Sequence, residues 1–327
     1  MNIIVDSINL IWAILQGGFS MPDLSLQTAM VSYGHTKPLI DGTVHSDRIN
    51  LVHVPVSPIP TAFRRMVRGL EYDVSEMAMS TYLCALAHHK QITAFPAFVL
   101  RRFEHDEIYY NTKSGIESPA DLIGRKVGLR SYTFTPGVWA RGILHDAYGV
   151  NSRDVTWVLY GDEHVSEYKA PDNVIPALPD SDMVADLLSG KIDAAIRPGK
   201  VNSSDIKPLI PNADEAAQDY FLQTGIYPIS HAMVVKNELL KRHPWIADEL
   251  YSMFKSGKER YLKYLDTAND LDSEDQAISR MKQIIGPDPL PYGIESNRKS
   301  LQAFMDFNVQ QGIIPEPFKW EDIFTPV

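Results

Sequence analysis

Strand-length apolar runs alternate with helix-period segments along most of this chain, and the order in which they come restricts the fold more than any other feature. "SLQTAMVSY" (25–33) and "INLVHVPVS" (49–57) are rich in β-branched and aromatic residues and predict strands. "PIPTAFRRMVRGL" (58–70) opens on proline and places Phe63, Met66, Val67 and Leu70 at helical spacing. "YDVSEMAMS" (72–80), "QITAFPAFVL" (91–100) and "EIYYNT" (107–112) predict further strands. A second unit then begins. Ser118 caps a short turn with Pro119 in its first positions, Gly124 ends it, and "KVGLR" predicts a strand. "SYTFTPGVWARGILHDAYG" reads as a loop entering a long helix that Gly149 stops. "DVTWVLYG" is another strand, 161–180 a polar, proline-rich surface loop, and "SDMVADLLSGKIDAAIRP" a cap, helix, glycine stop and strand. After the strand in "SHAMVV" the chain is mostly helical.

One α/β unit (25–110), a second (115–215) and helices that return afterwards predict two lobes, each a mainly parallel sheet flanked by helices, with a cleft between. Lobe 1 is expected to hold residues 21–112 and 226–327, and lobe 2 residues 113–225. Ligand sites in such sheets lie at the C-terminal ends of strands and at helix N-termini.

A chain of 327 residues exceeds one ordinary core, which agrees with two lobes. The net charge of −10 argues against binding a nucleic-acid backbone or an anionic membrane surface. It leaves room for a small anion, because a few local arginines override a global sign. With a single cysteine, Cys84, no internal disulfide and no cysteine-based zinc site can form. Cys84 lies in "STYLCALAHH" and reads as a small core residue. "AHHK" and "HPW" lack metal-ligand spacing, and no metal or organic cofactor is expected. Residues 1–20 carry an apolar run preceded by Asp6 and by no Lys or Arg. That run is too short for a transmembrane helix and lacks the basic region of a secretory signal. It reads as a poorly ordered extension ahead of a strand that Met21 opens. The expectation is a cytoplasmic homo-oligomer.

The stretches "GHTKPLIDGTV", "YDVSEMAMSTY", "GIESPADLIGRKVGLRSYTFTPGVWARGIL", "GKIDAAI", "TGIYPISHAMVV", "HPWIADELYSMF" and "PYGIESNRKSLQAF" together resemble the 4,5-dihydroxyphthalate decarboxylase family. The resemblance spans about residues 25–325. "SPADLxGxxVG" alone is a weak signal, whereas "YDVSEM" with "YPISH" and "PYGxExNR" is specific. It implies a two-lobed clamshell of type II periplasmic-binding-protein architecture and cofactor-independent, non-oxidative decarboxylation of a hydroxylated aromatic acid. The implied substrate is 4,5-dihydroxyphthalate and the products protocatechuate and CO2. The alternative is a solute-binding protein for an anionic aromatic or other small carboxylate.

Such a reaction needs cationic or hydrogen-bonding groups for a dianion and an acid for the ring carbon, with a base for the phenol as a further aid. His231 is the leading acid candidate, against a buried histidine at the hinge; His35 follows the first strand and is the second. Glu76, a carboxylate in an apolar strand, needs a partner and reads as a phenol-side base or the mate of an arginine. Thr36, and Ser80, Thr81 and Tyr82 at a helix start, offer donors to an anion. So does the lobe 2 loop Arg130, Ser131, Tyr132, Thr133 and Thr135, where Arg130 can clamp a carboxylate. Arg197 after its strand and Tyr227 complete the expected substrate contacts. Arg141 reads as solvated or lobe-packing, and Arg101, Arg102 and His105 as a surface run.

Overall fold

The computed structural model describes residues 24–327, so the expectations for residues 1–20 and for Met21 fall outside the described residues. Two mixed sheets organise the chain. The first has the order β2 (Ile49–His53), β1 (Leu24–Ala29), β3 (Val74–Ala78), β11 (Ile229–Lys236), β4 (Ile92–Arg101). The second runs β10 (Ile206–Pro208), β5 (Ile108–Asn111), β9 (Ala194–Ile196), β6 (Lys126–Leu129), β7 (Thr156–Leu159), β8 (Val174–Pro176). β1 is parallel to β2 and β3, and β6 is parallel to β7 and β9. β11, arriving from the second unit, runs antiparallel between β3 and β4.

β3 and β11 are buried almost end to end, as central strands covered on both faces must be. Glu76 and His231 are therefore polar groups embedded in a hydrophobic sheet. Their register brings them together. His231 lies opposite Ala78, and Glu76 lies opposite Met233. Residues 76 and 78 share a face of the pleat, so His231 and Glu76 are diagonal neighbours on it. The pairing of β11 with β4 slips between His231 and Met233. Pro96 sits in this part of β4 and has no N–H for the ladder, which is where an irregularity costs least.

The first strand is shorter than the sequence predicts. It ends at Ala29 because the next N–H groups turn to side chains: Val31 donates to Glu76 Oε2 (2.8 Å) and Tyr33 to Thr36 Oγ1 (2.8 Å). Gly34 in this turn lies under the Tyr261 ring, where a Cβ would come within 2.1 Å of the ring. The Ile246–Thr267 helix can close over the loop only with glycine there.

Between the two units, the Thr135–Tyr148 helix packs on the Arg298–Gln310 helix. Trp139 stacks on Phe304 at 4.8 Å between ring centroids. A Cβ on Gly142 would lie 2.2 Å from the Phe307 ring, so glycine sets this close approach. The segment expected to be a surface loop, 161–180, is partly built in. Val165 is fully buried and His164 nearly so. Arg68 of the Pro60–Gly69 helix donates to the carbonyls of Glu163 (2.8 Å) and His164 (3.0 Å), tying this segment to the first unit. Among the described residues, no helix is long and apolar enough to cross a membrane.

Candidate active site

His231 Nδ1 lies 2.6 Å from Glu76 Oε1. Tyr33 donates its hydroxyl to the same oxygen (2.8 Å), and the Val31 N–H donates to Oε2. Burial opposes ionisation of Glu76, but the hydrogen bonds from His231, Val31 and Tyr33 outweigh it and hold its carboxyl below the usual range. A carboxylate at Nδ1 fixes the imidazole with Nδ1–H facing it and leaves Nε2 to act on whatever stands in front. Nε2 has no hydrogen bond to any described residue.

In front of His231 is a cavity of about 350 Å³ between the two units. Phe63, Phe134, Ile59 and Leu100 give it apolar walls, a surface suited to an aromatic ring. Arg102, Arg130 and Arg197 reach it, and among the described residues no Asp or Glu lines it. A locally positive cavity thus sits inside a chain of net charge −10. Arg130 has no ion pair among the described residues, and burial and then the neighbouring Arg64 lower its affinity for its proton. Arg197 pairs with Glu107 and holds a left-handed backbone (φ 52°), which its N–H bond to the Glu107 carbonyl (2.8 Å) helps secure. A larger open groove of about 1250 Å³ lies beside the 32–45 segment. Its lining mixes Lys37, Arg260 and Lys263 with Asp41, Glu259 and Asp272, so no one charge converges on it.

Of the residues singled out from sequence, His231, Thr81, Arg130, Thr135 and Arg197 line the cavity. Glu76 stands behind His231 and does not reach the cavity, so its neighbour is the imidazole rather than a substrate phenol. The lobe 2 loop is arranged differently from the expected carboxylate clamp. The N–H groups of Tyr132 (2.5 Å) and Thr133 (3.1 Å) and the Thr133 hydroxyl all donate to the Glu163 carboxylate. The chain's own anion occupies those donors, and Ser131 is buried beside them.

Other expected contacts are structural. Ser80 bonds Asn308 Oδ1 through its hydroxyl (2.9 Å) and Thr135 Oγ1 through its N–H (3.0 Å), pinning the helices behind the cavity. The Tyr82 hydroxyl donates to the Ile323 carbonyl and accepts from the Ala94 N–H. Thr36 donates to the Val31 carbonyl (2.6 Å) and shapes the turn. Tyr227 lies under Arg101, whose guanidinium is 4.4 Å from its ring and bonds its carbonyl (2.7 Å). His35 is buried between Tyr33 and Tyr261, outside the cavity lining; burial holds it neutral, its affinity for a proton pushed down to about 4. Arg101 and His105 are buried, not a surface run, and Arg102 reaches the cavity. Arg141 is fully buried and bonds Gln311 Oε1 (2.7 Å) and the Tyr132 carbonyl (2.6 Å). Among the described residues, no three His, Cys, Asp or Glu side chains gather as a metal-ligand set.

Sequence reading missed His164, Phe63 and Phe134 as cavity residues. His164 sits in the polar segment 161–180, and its burial depends on the distant Arg68. No periodicity in that segment signals it.

Glu104 lies behind Arg102 and Arg197, fully buried, with Oε2 unpartnered among the described residues. Burial pushes its carboxyl up to about 8, against the pull of Arg102 and Arg197. The folded state thus keeps a proton that the unfolded state releases above the ordinary carboxyl range. Stability from this group is fully present at low pH and is lost as pH rises towards about 8. Replacing Glu104 by Gln is expected to remove that loss, worth on the order of a few kcal/mol. Urea unfolding from pH 4.5 to pH 9 checks it: the variant should match the wild type near pH 4.5, gain on it steadily as pH rises to about 8, and hold that gain at pH 9.

No protein-family model matches the chain. Among curated proteins, it is 29% identical over 323 residues to the 4,5-dihydroxyphthalate decarboxylase of Comamonas testosteroni, covering 94% of this chain and 98% of that one. It is 34% identical over 186 residues to the protein of the same name from Pseudomonas putida, covering 54% of this chain and 72% of the relative. Among solved structures it is similar to the alkanesulfonate-binding protein SsuA from Xanthomonas axonopodis pv. citri (TM-score 0.51, 13% identity, 90% and 96% of the two chains). It is equally similar to the desulfurization enzyme DSZB (TM-score 0.50, 14% identity, 92% and 96%). These likenesses establish a periplasmic-binding-protein fold, which carries receptors and an enzyme alike and so does not choose between them. The sequence similarity is what separates the two, and by it this chain belongs to the 4,5-dihydroxyphthalate decarboxylase family.

Proposed function

We propose that this protein removes one carboxylate from a hydroxylated aromatic dicarboxylate, 4,5-dihydroxyphthalate first, giving protocatechuate and CO2. The observation that carries the reading is the Glu76-held imidazole of His231, its free nitrogen at a cavity ringed by arginines. A protein that merely closes on an anion has no use for an imidazole oriented by a buried carboxylate. The arginines receive the two carboxylates, and the apolar walls receive the ring. His231, protonated at Nε2, gives that proton to the ring carbon bearing the departing carboxylate. The C–CO2 bond then breaks, its electron pair restores the aromatic ring, and CO2 leaves. Water returns a proton to Nε2. Glu76 keeps the ring orientation and stabilises the imidazolium.

Purified protein mixed with a panel of hydroxyphthalates tests this. 4,5-Dihydroxyphthalate should give one CO2 and one protocatechuate per turnover, with and without chelator. Tight binding with no product anywhere on the panel would leave a solute-binding protein instead. Arg130→Ala should raise KM by about 10–100-fold, the worth of one charged hydrogen bond, with a smaller change in kcat. An unchanged KM would remove Arg130 from substrate binding.

A further inference from the structure

The decarboxylation scheme leaves one need unmet. A hydroxyl para to the departing carboxylate feeds electrons into the ring best when something takes up its hydrogen. Glu76 cannot, since it stands behind His231. The cavity holds a second imidazole. His164 is 4% exposed, its Nδ1 lies 2.9 Å from Thr81 Oγ1, and its Nε2 has no partner among the described residues. Both histidines line the cavity and pack edge-on against one phenylalanine, with Phe63 centroids 4.9 Å from His231 and 5.9 Å from His164. An orphaned buried nitrogen calls for an explanation, and in a cavity sized for one ring the natural partner is a group on that ring.

We infer that His164 Nε2 accepts the hydrogen bond of the substrate's phenolic hydroxyl, with Thr81 fixing the imidazole from its other side. This inference rests on the decarboxylase reading and names the group that recognises the hydroxyl. Thr81 accepts from Nδ1–H, which leaves the lone pair on Nε2. As His231 protonates the ring carbon, the phenolic hydrogen shifts towards His164 and the C–O bond gains carbonyl character. When CO2 leaves, the electron pair of the broken bond returns to the ring and the hydrogen returns to the product's oxygen. His164 ends as it began. Burial, then Arg130, Arg64 and Arg68, push its own protonation down to about 3, so the free enzyme presents it as an acceptor at neutral pH. The arginines thus perform two tasks: they draw in carboxylates and keep the neighbouring imidazole neutral.

The test separates hydroxyl recognition from turnover. Binding of 4,5-dihydroxyphthalate and of plain phthalate is measured by calorimetry in the His231→Ala background, where neither ligand reacts. The protein carrying His164 should prefer the hydroxylated ligand by about tenfold or more, because a site built to bond a hydroxyl is left unsatisfied by the analogue lacking it. Adding His164→Ala should bring the two affinities together with little change for phthalate. Adding His164→Gln, a smaller disruption should alanine unfold the chain, should do the same in part. In the enzyme with His231 intact, His164→Ala should lower kcat by about 10²-fold. A preference that survives His164→Ala, or an equal loss for both ligands, overturns the inference, the latter because it puts His164 on a carboxylate. Absence of turnover in the wild type with the hydroxyl preference present would instead defeat the decarboxylase reading and leave the recognition role standing.

Discussion

His231→Ala is expected to lower kcat for 4,5-dihydroxyphthalate by about 10²–10⁴-fold, the usual worth of a positioned general acid. The cavity keeps Arg102, Arg130 and Arg197, so binding of unreactive phthalate should change far less than turnover. That split between kcat and affinity identifies a group acting in the transition state rather than in the ground state. The variant also leaves Glu76 short of one donor while Val31 and Tyr33 still bond it. A melting curve must therefore accompany the kinetics, and rate loss is read only from folded protein. His231→Gln, which keeps a donor beside Glu76, should fold better and be as slow. Turnover within about threefold of wild type in either folded variant would remove His231 as the acid, since a general acid is worth far more.

The second large effect is on stability in acid. His35 and His105 are buried and held neutral, with protonation pushed down to about 4 in each. His164 is pushed down further, to about 3. Burial is the leading cause for all three. Unfolding frees them to bind protons near pH 6.5, the ordinary value for histidine. Between that pH and about 4 the unfolded chain thus holds more protons than the folded one. Stability from these groups is complete above about pH 6.5 and falls as pH drops. Each contributes about 1.4 kcal/mol per pH unit in that window, so together they dominate the opposing term from Glu104. Urea midpoints measured from pH 7 to pH 4.5 should fall steeply. His105→Phe, which keeps the ring against Phe103 and Tyr220, should reduce the slope by about half, because three histidine protons set against the one Glu104 keeps leave a net of two. A flat profile, or an unaltered slope in that variant, would show that these histidines do not govern acid stability.

Much of the architecture was open to reading from the chain. The alternation of strand and helix patterns and the late strand "SHAMVV" anticipated two sheets, because hydrophobic periodicity is a local property. His231 and Glu76 stood out for the same reason: each is a polar residue in a buried apolar strand, and such a residue must find a partner. Arg130 and Arg197 were legible from their place just past strands, where clefts in α/β sheets lie. The short motifs that resemble the family carried the rest of the functional reading.

What remained hidden required distance in sequence to become proximity in space. The diagonal of His231 and Glu76 exists because β11 enters antiparallel beside β3 in one particular register. A slip of one residue would turn the histidine to the other face. The donors of Tyr132 and Thr133 suggested an anion site, and the structure fills it with Glu163, about thirty positions along the chain. His35 and Thr36 follow the first strand as cleft residues should, yet Thr36 turns back to hold the loop and His35 lies beneath it, outside the cavity.

Element types, the two-sheet plan and the residues whose chemistry suits a proton transfer are legible in the chain, since propensity, patterning and residue chemistry are written locally. Which of them share a cavity follows from long-range packing. The His164 segment is polar and reads as surface, but Arg68 of a distant helix binds its carbonyls and turns its imidazole inward. Burial and charge are sums over neighbours from the whole chain, and those sums exist only once it has folded.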